Sequence, residues 1–415
     1  MTTWTDIVWI DILGRAQTIR RREYVPGDPI WIPRSLAAAG HGAPSTGGPL
    51  LRVVPDVKTL RDNVLEPGAQ LVMADLQEAD GSPSELCSRT ALRKVLDSAV
   101  EQDLDVQAAV ELECYLLDPE TLRPVYEVTD CYGMARSDQF EAILAPLRND
   151  LPLMGIAIEA SNLEYSGGQI EVNLRYGPAL QAADNGALLR LLTRRTVQQA
   201  GLEVTFMAKP WTEHAGSGMH IHQSLWRYGQ NLFANGAGLS DVGHHYVAGL
   251  LGYMSEFTLL GSPTVNAYHR RSDGSFAPTV ISWGSDNRTL AVRCVVGNSD
   301  SATRVEQRDA AADCNIHIAL AGQIAAGLEG IRRQGTPPKP ITGNAYAQNL
   351  ERLPRTFLEA YEALQQSSYA REALGQGFVE SYLDALSPEI ELLLGSCAEW
   401  ERSRYLGVLV PESSS

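Results

Sequence analysis

Six side chains that favour hard metal ions recur in three pairs, and this recurrence constrains the fold more than any other feature of the chain. The pairs are Glu111 with Glu113, Glu164 with Glu171, and His220 with Glu306. Each pair lies on segments with the pattern of a strand or a loop edge. Five carboxylates and one imidazole suit Mg²⁺ or Mn²⁺ better than a thiolate-held zinc. Because two such ions beside arginines can balance the charge of a transferring phosphoryl group, the set predicts an ATP-dependent enzyme.

Composition narrows the class of protein. The chain has 415 residues, 44% hydrophobic and 20% charged, which is enough for a large core or two domains. A net charge of −16 argues against nucleic-acid binding, since no basic surplus exists to displace counterions. The six scattered cysteines form no CxxC pair, the first residues lack a signal-peptide pattern, and no apolar run approaches the roughly 20 residues that span a bilayer. We therefore expect a cytoplasmic protein with reduced thiols and no membrane partner.

Hydrophobic periodicity predicts an α+β protein with two domains. Residues 1–84 are strand-rich and form a small domain, and residues 85–415 form a larger one. Strands are predicted at 5–13, 50–54, 106–117, 156–176, 202–207, 218–226, 279–296 and 303–308. One helix is predicted to start at Ser84-Glu85, and others are predicted at 137–154, 184–200 and 241–260. Most of the chain after residue 309 is also predicted to be helical. A Gly/Pro-rich stretch at 35–49 predicts a loop that is mobile or faces a ligand.

Two of the acidic pairs lie in patterns with more than one interpretation. Alternation points Glu111 and Glu113 to one face of a strand, although an exposed strand edge with two solvated acids would look similar. Glu164 and Glu171 flank a Gly167-Gly168 pair, which permits close backbone approach to a ligand but also occurs in ordinary polar hairpins.

The strongest local signal is the run Gly216-Ser-Gly-Met-His-Ile-His222. A lone histidine would more often be a buried core residue, but His220 and His222 share one face after a glycine-rich turn. Five arginines follow within a short stretch, and they are Arg270, Arg288, Arg293, Arg304 and Arg308. Surface arginines are the ordinary interpretation, yet Arg304, Glu306 and Arg308 alternate onto one face. Arginine guanidinium groups can bind a carboxylate or a phosphate through two parallel hydrogen bonds.

Together these motifs resemble the glutamine synthetase family, type I, and they occur in the family's order over nearly the whole chain. Lys209-Pro followed by Gly216-Ser-Gly-Met-His-Ile-His222 resembles the ATP-binding signature. Asn266-Ala-Tyr-His-Arg270 resembles the substrate-arginine segment. Asn287-Arg288 and Arg304-Val-Glu-Gln-Arg308 resemble the later phosphate and substrate motifs.

The resemblance implies a fold, an assembly and a role for each site residue. It implies an N-terminal β-grasp domain, a catalytic domain built on a curved antiparallel sheet, and a homo-oligomer of two stacked hexameric rings with active sites between subunits. Two or three Mg²⁺ or Mn²⁺ ions would be held by Glu113, Glu164 and Glu171 and by Glu111, His220 and Glu306. ATP would bind near Glu159, Tyr176, His222, Ser224, Arg293 and Arg304. Glutamate would contact Glu113, Gly216, Arg270 and Arg308, and Arg288 would stabilise the transferring phosphoryl group.

The chain departs from the family pattern where ammonia would bind. Six residues after the substrate arginine the family has a glutamate, and this chain has Phe276. The N-terminal Asp-Gly-Ser-Ser segment is also missing, and His41-Gly-Ala-Pro-Ser is its nearest match. Ala215 replaces an asparagine. We therefore predict a ligase that joins glutamate to an organic amine, with Phe276 in the amine pocket beside Tyr165, Trp211 or Trp283.

Loss of the glutamate favours an aromatic or apolar amine. An alkylamine is protonated at pH 7, by analogy with the lysine pKa of about 10.4, and it needs a base, whereas an arylamine does not. Glu213, His214 or His41 could still act as that base. A true glutamine synthetase, a different acid substrate and a non-catalytic homologue remain alternatives.

Overall fold

The computed structural model describes residues 3–38, 49–64, 66–126, 128, 131–133, 137–236, 238–285 and 287–406. Most of the predicted 35–49 loop, including His41, lies outside these residues.

The first sheet has six strands, all of them before residue 78. They are β1 (Trp4–Ile10), β2 (Ala16–Arg22), β3 (Ile30–Pro33), β4 (Leu50–Pro55), β5 (Arg61–Asp62) and β6 (Ala69–Gln77). Their order is β2-β1-β6-β4-β3, with β5 also paired to β6. Since β1 and β6 are parallel at the centre and the other pairs are antiparallel, this is the predicted β-grasp arrangement.

The second sheet has ten strands and carries the predicted site motifs. Its strands are β7 (Asp105–Leu117), β8 (Ile158–Leu163), β9 (Gln169–Leu174), β10 (Gly177–Pro178), β11 (Glu203–Thr205), β12 (Met219–Arg227), β13 (Gln230–Asn231), β16 (Trp283–Ser285), β17 (Val292–Val295) and β18 (Arg304–Gln307). Strands β14 (Ala234–Asn235) and β15 (Gly238–Leu239) form a separate hairpin. The main order is β16-β17-β18-β12-β7-β9-β8, antiparallel except for β16 with β17. Strands from distant parts of the sequence thus become neighbours.

Helices complete the α+β architecture. They are α1 (Arg34–Ala37), α2 (Ser88–Val100), α3 (Ser137–Asp150), α4 (Ala179–Gln199), α5 (Asp241–Gly261), α6 (Ile316–Arg332), α7 (Phe357–Gln366), α8 (Ser368–Leu374), α9 (Gln376–Gly395) and α10 (Glu399–Tyr405). Helix α2 begins at Ser88, so the predicted start at Ser84 was a few residues too early. The predicted helix at 137–154 is α3 followed by a 3₁₀ turn at Leu151–Met154.

The two sheets share one hydrophobic core and several buried polar contacts. Arg89 of α2 is almost fully buried and pairs with Asp184 of α4 at 2.9 Å, and with Asp75 and Asp56 from the first sheet and its connection. Asn315, at the start of α6, donates to the carbonyls of Asp11 and Ile12. These contacts fix the first sheet and its connections against helices α2, α4 and α6. A domain boundary at residue 84 stays a prediction.

Two further features follow from the described helices and cysteines. None of the described helices is long and apolar enough to cross a membrane. All six cysteines are free thiols, and four of them are buried.

Candidate active site

Strand register places the predicted site residues opposite one another across five neighbouring strands. The facing pairs are Arg293 with Glu306, Glu306 with His222, His220 with Glu111, and Glu113 with Glu171. Val110, Leu112 and Cys114 are buried in the core on the other face of β7, as alternation predicts. The sheet therefore gathers carboxylates, imidazoles and guanidinium groups on one face.

Two adjoining cavities lie on this face, and Phe276 and every residue expected to bind metal, ATP, glutamate or the phosphoryl group line one of them. The first cavity, of about 590 Å³, is lined by residues that include Glu159, Tyr176, His222, Ser224 and Arg304. The second cavity, of about 610 Å³, is lined by residues that include Glu113, Glu164, Glu171, Gly216, His220, Arg270, Phe276, Arg288, Arg293, Glu306 and Arg308. Glu111 and Asn173 line both. Arg293, predicted with the ATP residues, lies in the second cavity.

Among the described residues, two groups of side chains are close enough to hold metal ions. Ligand atoms of Glu111, Glu171 and His220 lie within 4.8 Å of one another, and so do those of Glu111, His222 and Glu306. This grouping differs from the predicted sets, because His222 joins a group, Glu111 belongs to both, and Glu113 and Glu164 belong to neither. Carboxylate and imidazole donors fit the divalent ions that the sequence predicts.

The buried acids repel one another. Burial and the charge of Glu164 raise the pKa of Glu113 to about 7. Burial and the charge of Glu113 raise the pKa of Glu171 to about 9. Burial also raises the pKa of Glu164. Bound cations would remove this repulsion, so the electrostatics of the cavity fit a divalent-ion site.

Glu111 differs from its neighbours because two histidines stabilise its charge. Burial opposes ionisation, but hydrogen bonds from His220 and His222 outweigh it and lower the pKa of Glu111. The carboxylate oxygens lie 3.1 Å from His220 Nδ1 and 2.7 Å from His222 Nε2. Burial and the charge of Arg308 lower the pKa of His220 to about 4, which favours a neutral ring that donates to an ionised Glu111. The contact thus fixes the orientation of His220.

The glycines of the Gly216-Ser-Gly-Met-His run make room for Arg270. A β-carbon on Gly216 would lie 2.5 Å from Arg270 Cγ, and one on Gly218 would lie 2.4 Å from Arg270 Nη2. Arg270 is 5% exposed, and its guanidinium donates to the carbonyl of Ala310 at 3.0 Å. A substituted residue at either glycine would displace this arginine from the cavity wall.

Three other arginines face the same acids. Glu306 is buried between Arg293 and Arg308, with its Oε2 2.7 Å from Arg293 Nε. Arg288 is exposed, and a hydrogen bond joins it to Tyr132. The second cavity therefore offers both charge signs within a few ångströms, which suits an amino acid and a phosphoryl group.

The first cavity has the character of a nucleotide pocket. Tyr176 is 51% exposed and stacks on Trp226, with ring centroids 6.4 Å apart. Trp226 Nε1 donates to Ser224 Oγ at 2.9 Å. Arg304 Nε donates to His222 Nδ1 at 3.0 Å, which links this pocket to the acidic cluster. An aromatic face and a guanidinium group beside acidic residues suit a base, a phosphate chain and its metal ions.

Comparison with known proteins decides the family. The model of the glutamine synthetase catalytic domain matches residues 85–405. The chain belongs to the glutamine synthetase family. As a member of that family it is an ATP-dependent ligase acting on glutamate, and the family uses ATP and divalent metals.

Similar family members include ligases for organic amines. The gamma-glutamylethanolamide synthetase GlnA4 of Streptomyces coelicolor is 35% identical over 84% of this chain and 77% of its own length. The glutamate–isopropylamine ligase of a Pseudomonas species is 33% identical over 88% of this chain and 83% of its own length. The solved structure of GmaS without ligand has a TM-score of 0.89 at 26% identity, covering 98% of this chain and 97% of that one. The glutamine synthetase fold is thus confirmed.

Phe276, which the motif spacing predicts at the position of the family's glutamate, lies in the second cavity and stacks on Tyr165. The ring centroids are 5.3 Å apart and the ring planes differ by 25°. Of the other aromatic residues expected nearby, Trp211 packs against Tyr115 rather than Phe276. Trp283 packs against His244 and donates to the Pro338 carbonyl, so the expectation for Trp283 was wrong. Phe276 and Tyr165 thus form a flat apolar part of the cavity wall.

Two amide side chains at this site were not predicted from the sequence. Gln169 Nε2 lies 3.3 Å from Glu113 Oε2 and 3.1 Å from the Gly216 carbonyl, so it joins β9 to β7 and to the loop before β12. Asn173 faces Glu111 across β7 and β9, and its buried amide oxygen has no hydrogen-bond partner in the described chain. Alternation from Glu171 in both directions along β9 would have identified these residues.

Proposed function

We propose that this chain joins the γ-carboxylate of L-glutamate to an organic amine through a γ-glutamyl phosphate. The observation that carries the proposal is the Phe276–Tyr165 ring pair in the cavity that also contains the acidic cluster and the arginines. An ammonium ion needs a negative or polar subsite, whereas these rings favour an apolar group on the nucleophile. The similarity to the ethanolamide and isopropylamine ligases supports the same assignment.

Glutamate would bind in the second cavity. Arg270 would hold its α-carboxylate, and Glu113 with the backbone at Gly216 would hold its α-ammonium group. Arg308 would hold the γ-carboxylate. Arg270 and Arg308 are both 5% exposed, so their guanidinium groups would act on the substrate in a poorly solvated site. These contacts would orient the γ-carboxylate towards the first cavity.

The first chemical step would activate the γ-carboxylate. One of its oxygens would attack the γ-phosphorus of ATP, and ADP would leave. Glu159, Tyr176, Ser224 and Arg304 would position ATP in the first cavity, and Arg288 and Arg293 would face the transferring group. Divalent ions held by Glu111, Glu113, Glu164, Glu171, His220 and Glu306, with His222 beside them, would supply charge neutralisation.

The second step would form the amide. The amine nitrogen would attack the acyl carbon, the bond to phosphate would break, and a proton would leave the nitrogen. Glu213 and His214 both line the cavity, but Glu213 is exposed and pairs with Arg123 at 3.0 Å. His41 lies outside the described residues. An amine that is already neutral at pH 7, such as an arylamine, needs no strong base and fits this subsite best.

The test is ADP formation with Mg²⁺ and glutamate across ammonia, ethanolamine, putrescine, spermidine, isopropylamine and aniline, with product masses confirmed. Turnover with an organic amine far above that with ammonia would support the proposal, and aniline should be the best of the six. Preference for ammonia would identify a glutamine synthetase. No turnover with any amine would point to another acid substrate or a non-catalytic homologue.

The assembly and location belong to this proposal as well. By resemblance to the family, twelve copies would form two stacked hexameric rings. A cytoplasmic location would supply ATP and glutamate.

A further inference from the structure

The loop that carries Phe276 separates two cavities. Residues Gly274 to Ala277 line the second cavity of the active site. The residues just before and after them line a separate space of about 360 Å³, here termed the outer cavity. Its charged and hydroxyl groups come from Arg271, Ser272, Asp273, Thr279, Arg352 and Arg355. A ligand in the outer cavity would therefore touch the loop from the side opposite the substrates.

The outer cavity carries excess positive charge. It contains three guanidinium groups and one carboxylate. That carboxylate, on Asp273, accepts a hydrogen bond from Thr279 at 2.8 Å and lies 3.7 Å from Arg352. Within the part of the chain that the structure describes, Arg271 and Arg355 form no ion pair. Guanidinium groups gathered in this way bind phosphate and carboxylate groups.

Hydrogen bonds connect the outer cavity to the glutamate subsite. Arg270 faces the second cavity and Arg271 faces the outer cavity. Both donate to the carbonyl of Asp309, at 3.5 Å and 3.3 Å. Asp309 directly follows Arg308, which would hold the γ-carboxylate. Movement of Arg271 would therefore be transmitted to both substrate arginines.

The loop itself is anchored on both sides of Phe276. Ser275 Oγ donates to the Arg270 carbonyl at 3.0 Å. Leu353 N donates to the Thr279 carbonyl at 3.1 Å, which holds Arg352 beside the loop. Phe276 has a φ of +59°, a strained value for a bulky residue. Because the strained Phe276 lies between these anchors, a ligand that alters the Asp273 side of the loop can shift it.

We propose that the outer cavity is a regulatory site for a small dianion that carries a phosphate group or two carboxylates. The anion would bind Arg352, Arg355 and Arg271 and draw Arg352 away from Asp273. Release of Asp273 would shift Phe276 and change the apparent KM for the amine. Binding itself does not depend on the proposed amine ligation, and only the kinetic effect rests on it.

Binding is tested by calorimetric titration with inorganic phosphate and, separately, with succinate. We compare the wild type with Arg352→Gln/Arg355→Gln and with Arg332→Gln/Arg333→Gln, which removes two exposed arginines at the end of α6. The first double variant should weaken binding of one anion at least about tenfold, and the control should not. The anion that responds identifies phosphate or dicarboxylate as the ligand chemistry. Equal affinities in all three proteins would overturn the site.

Asp273→Asn should have the opposite effect on anion affinity to the arginine variant. It removes the negative charge but keeps an acceptor for Thr279. It should tighten binding of the same anion. In steady-state assays that follow ADP, the anion should change the wild-type amine KM by at least about threefold, an order-of-magnitude expectation for allosteric coupling. That change should vanish in the Arg352→Gln/Arg355→Gln variant, while product inhibition by phosphate at the active site persists. Anion binding without any change in KM would overturn the regulatory role.

Discussion

Substitution of Phe276 tests directly whether the enzyme uses ammonia or an organic amine. Phe276 is 43% exposed, and its ring stacks on Tyr165. A carboxylate at this position would instead attract ammonium and accept its proton. Phe276→Glu should raise turnover with ammonia relative to the preferred organic amine by about 10²-fold, the usual lower range for a positioned general base. The measurement is the ratio of kcat/KM for the two nucleophiles.

Phe276→Leu is the matched control for this substitution. It removes the aromatic ring without adding a base, so it should weaken use of the organic amine and leave ammonia poor. If Phe276→Glu and Phe276→Leu change the ratio equally, the role assigned to this subsite is incorrect.

His220 tests the metal site. Its ring lies in a group with Glu111 and Glu171, and Glu111 orients it. His220→Ala should lower Mn²⁺ affinity by at least about 10–100-fold, since loss of an outer-shell partner alone has that effect, and should abolish turnover. Direct Mn²⁺ binding is the measurement. His269→Ala, which changes an exposed histidine, is the control, and normal Mn²⁺ affinity in His220→Ala would contradict the assignment.

At the scale of elements, the crossing of α5 and α6 depends on two glycines. A β-carbon on Gly249 would lie 2.0 Å from the Ala326 carbonyl oxygen and 2.7 Å from Gly330 N. The helices must separate to accommodate it. Gly249→Ala should therefore lower the free energy of unfolding by about 3 kcal/mol, the upper end for overpacking. Gly252, also in α5, has no atom within 4 Å of the position that a β-carbon would take, and Gly252→Ala should stabilise by about 0.5–1 kcal/mol. Urea unfolding of both variants checks the contrast, which equal effects would refute.

The buried contacts of Asp184 give a pH dependence. Burial opposes its ionisation, but hydrogen bonds and charge from His317 and Arg89 lower the pKa of Asp184. Because the folded pKa lies below the ordinary value of about 3.9, the contact stabilises fully above that pH and is lost as the pH falls through the lowered pKa. Asp184→Asn should lower the free energy of unfolding by about 3 kcal/mol at pH 7. The variant should also lose less stability than the wild type as the pH falls below about 4. Urea midpoints measured from about pH 6 to pH 3 test this, and parallel curves for both proteins would contradict it.

Sequence patterns predicted which face of a strand carries the site residues better than they predicted which strands lie next to one another. Alternation in β7 and β12 correctly assigned Glu111, Glu113, His220 and His222 to one face. It could not show that β12 lies between β7 and β18, because strand order depends on pairing between distant segments. That order puts His222 opposite Glu306 and into a metal-capable group. Tertiary packing likewise placed Trp283 against His244, away from Phe276.

At the scale of the whole molecule, the C-terminal helices leave an apolar surface. Leu392, Leu394, Trp400 and Leu406 are each at least 62% exposed on or beside α9 and α10. A surface of this kind usually marks an interface, and the proposed ring assembly would cover it with another copy of the chain. The assembly would also have to tolerate the net charge of −16 on each chain.

Leu394→Glu/Trp400→Glu should therefore break the assembly into smaller species. Two buried charges at a contact between copies would be strongly unfavourable, whereas Leu153→Glu, at an exposed site on the 3₁₀ turn after α3, should leave the mass unchanged. Mass photometry should find the wild type near twelve times the 45.2 kDa chain mass, and the double variant well below it. If the active sites lie between subunits, turnover should fall with the mass while the chain stays folded by circular dichroism. A wild-type monomer with full turnover would show that one chain contains the complete site and would remove assembly from the proposal.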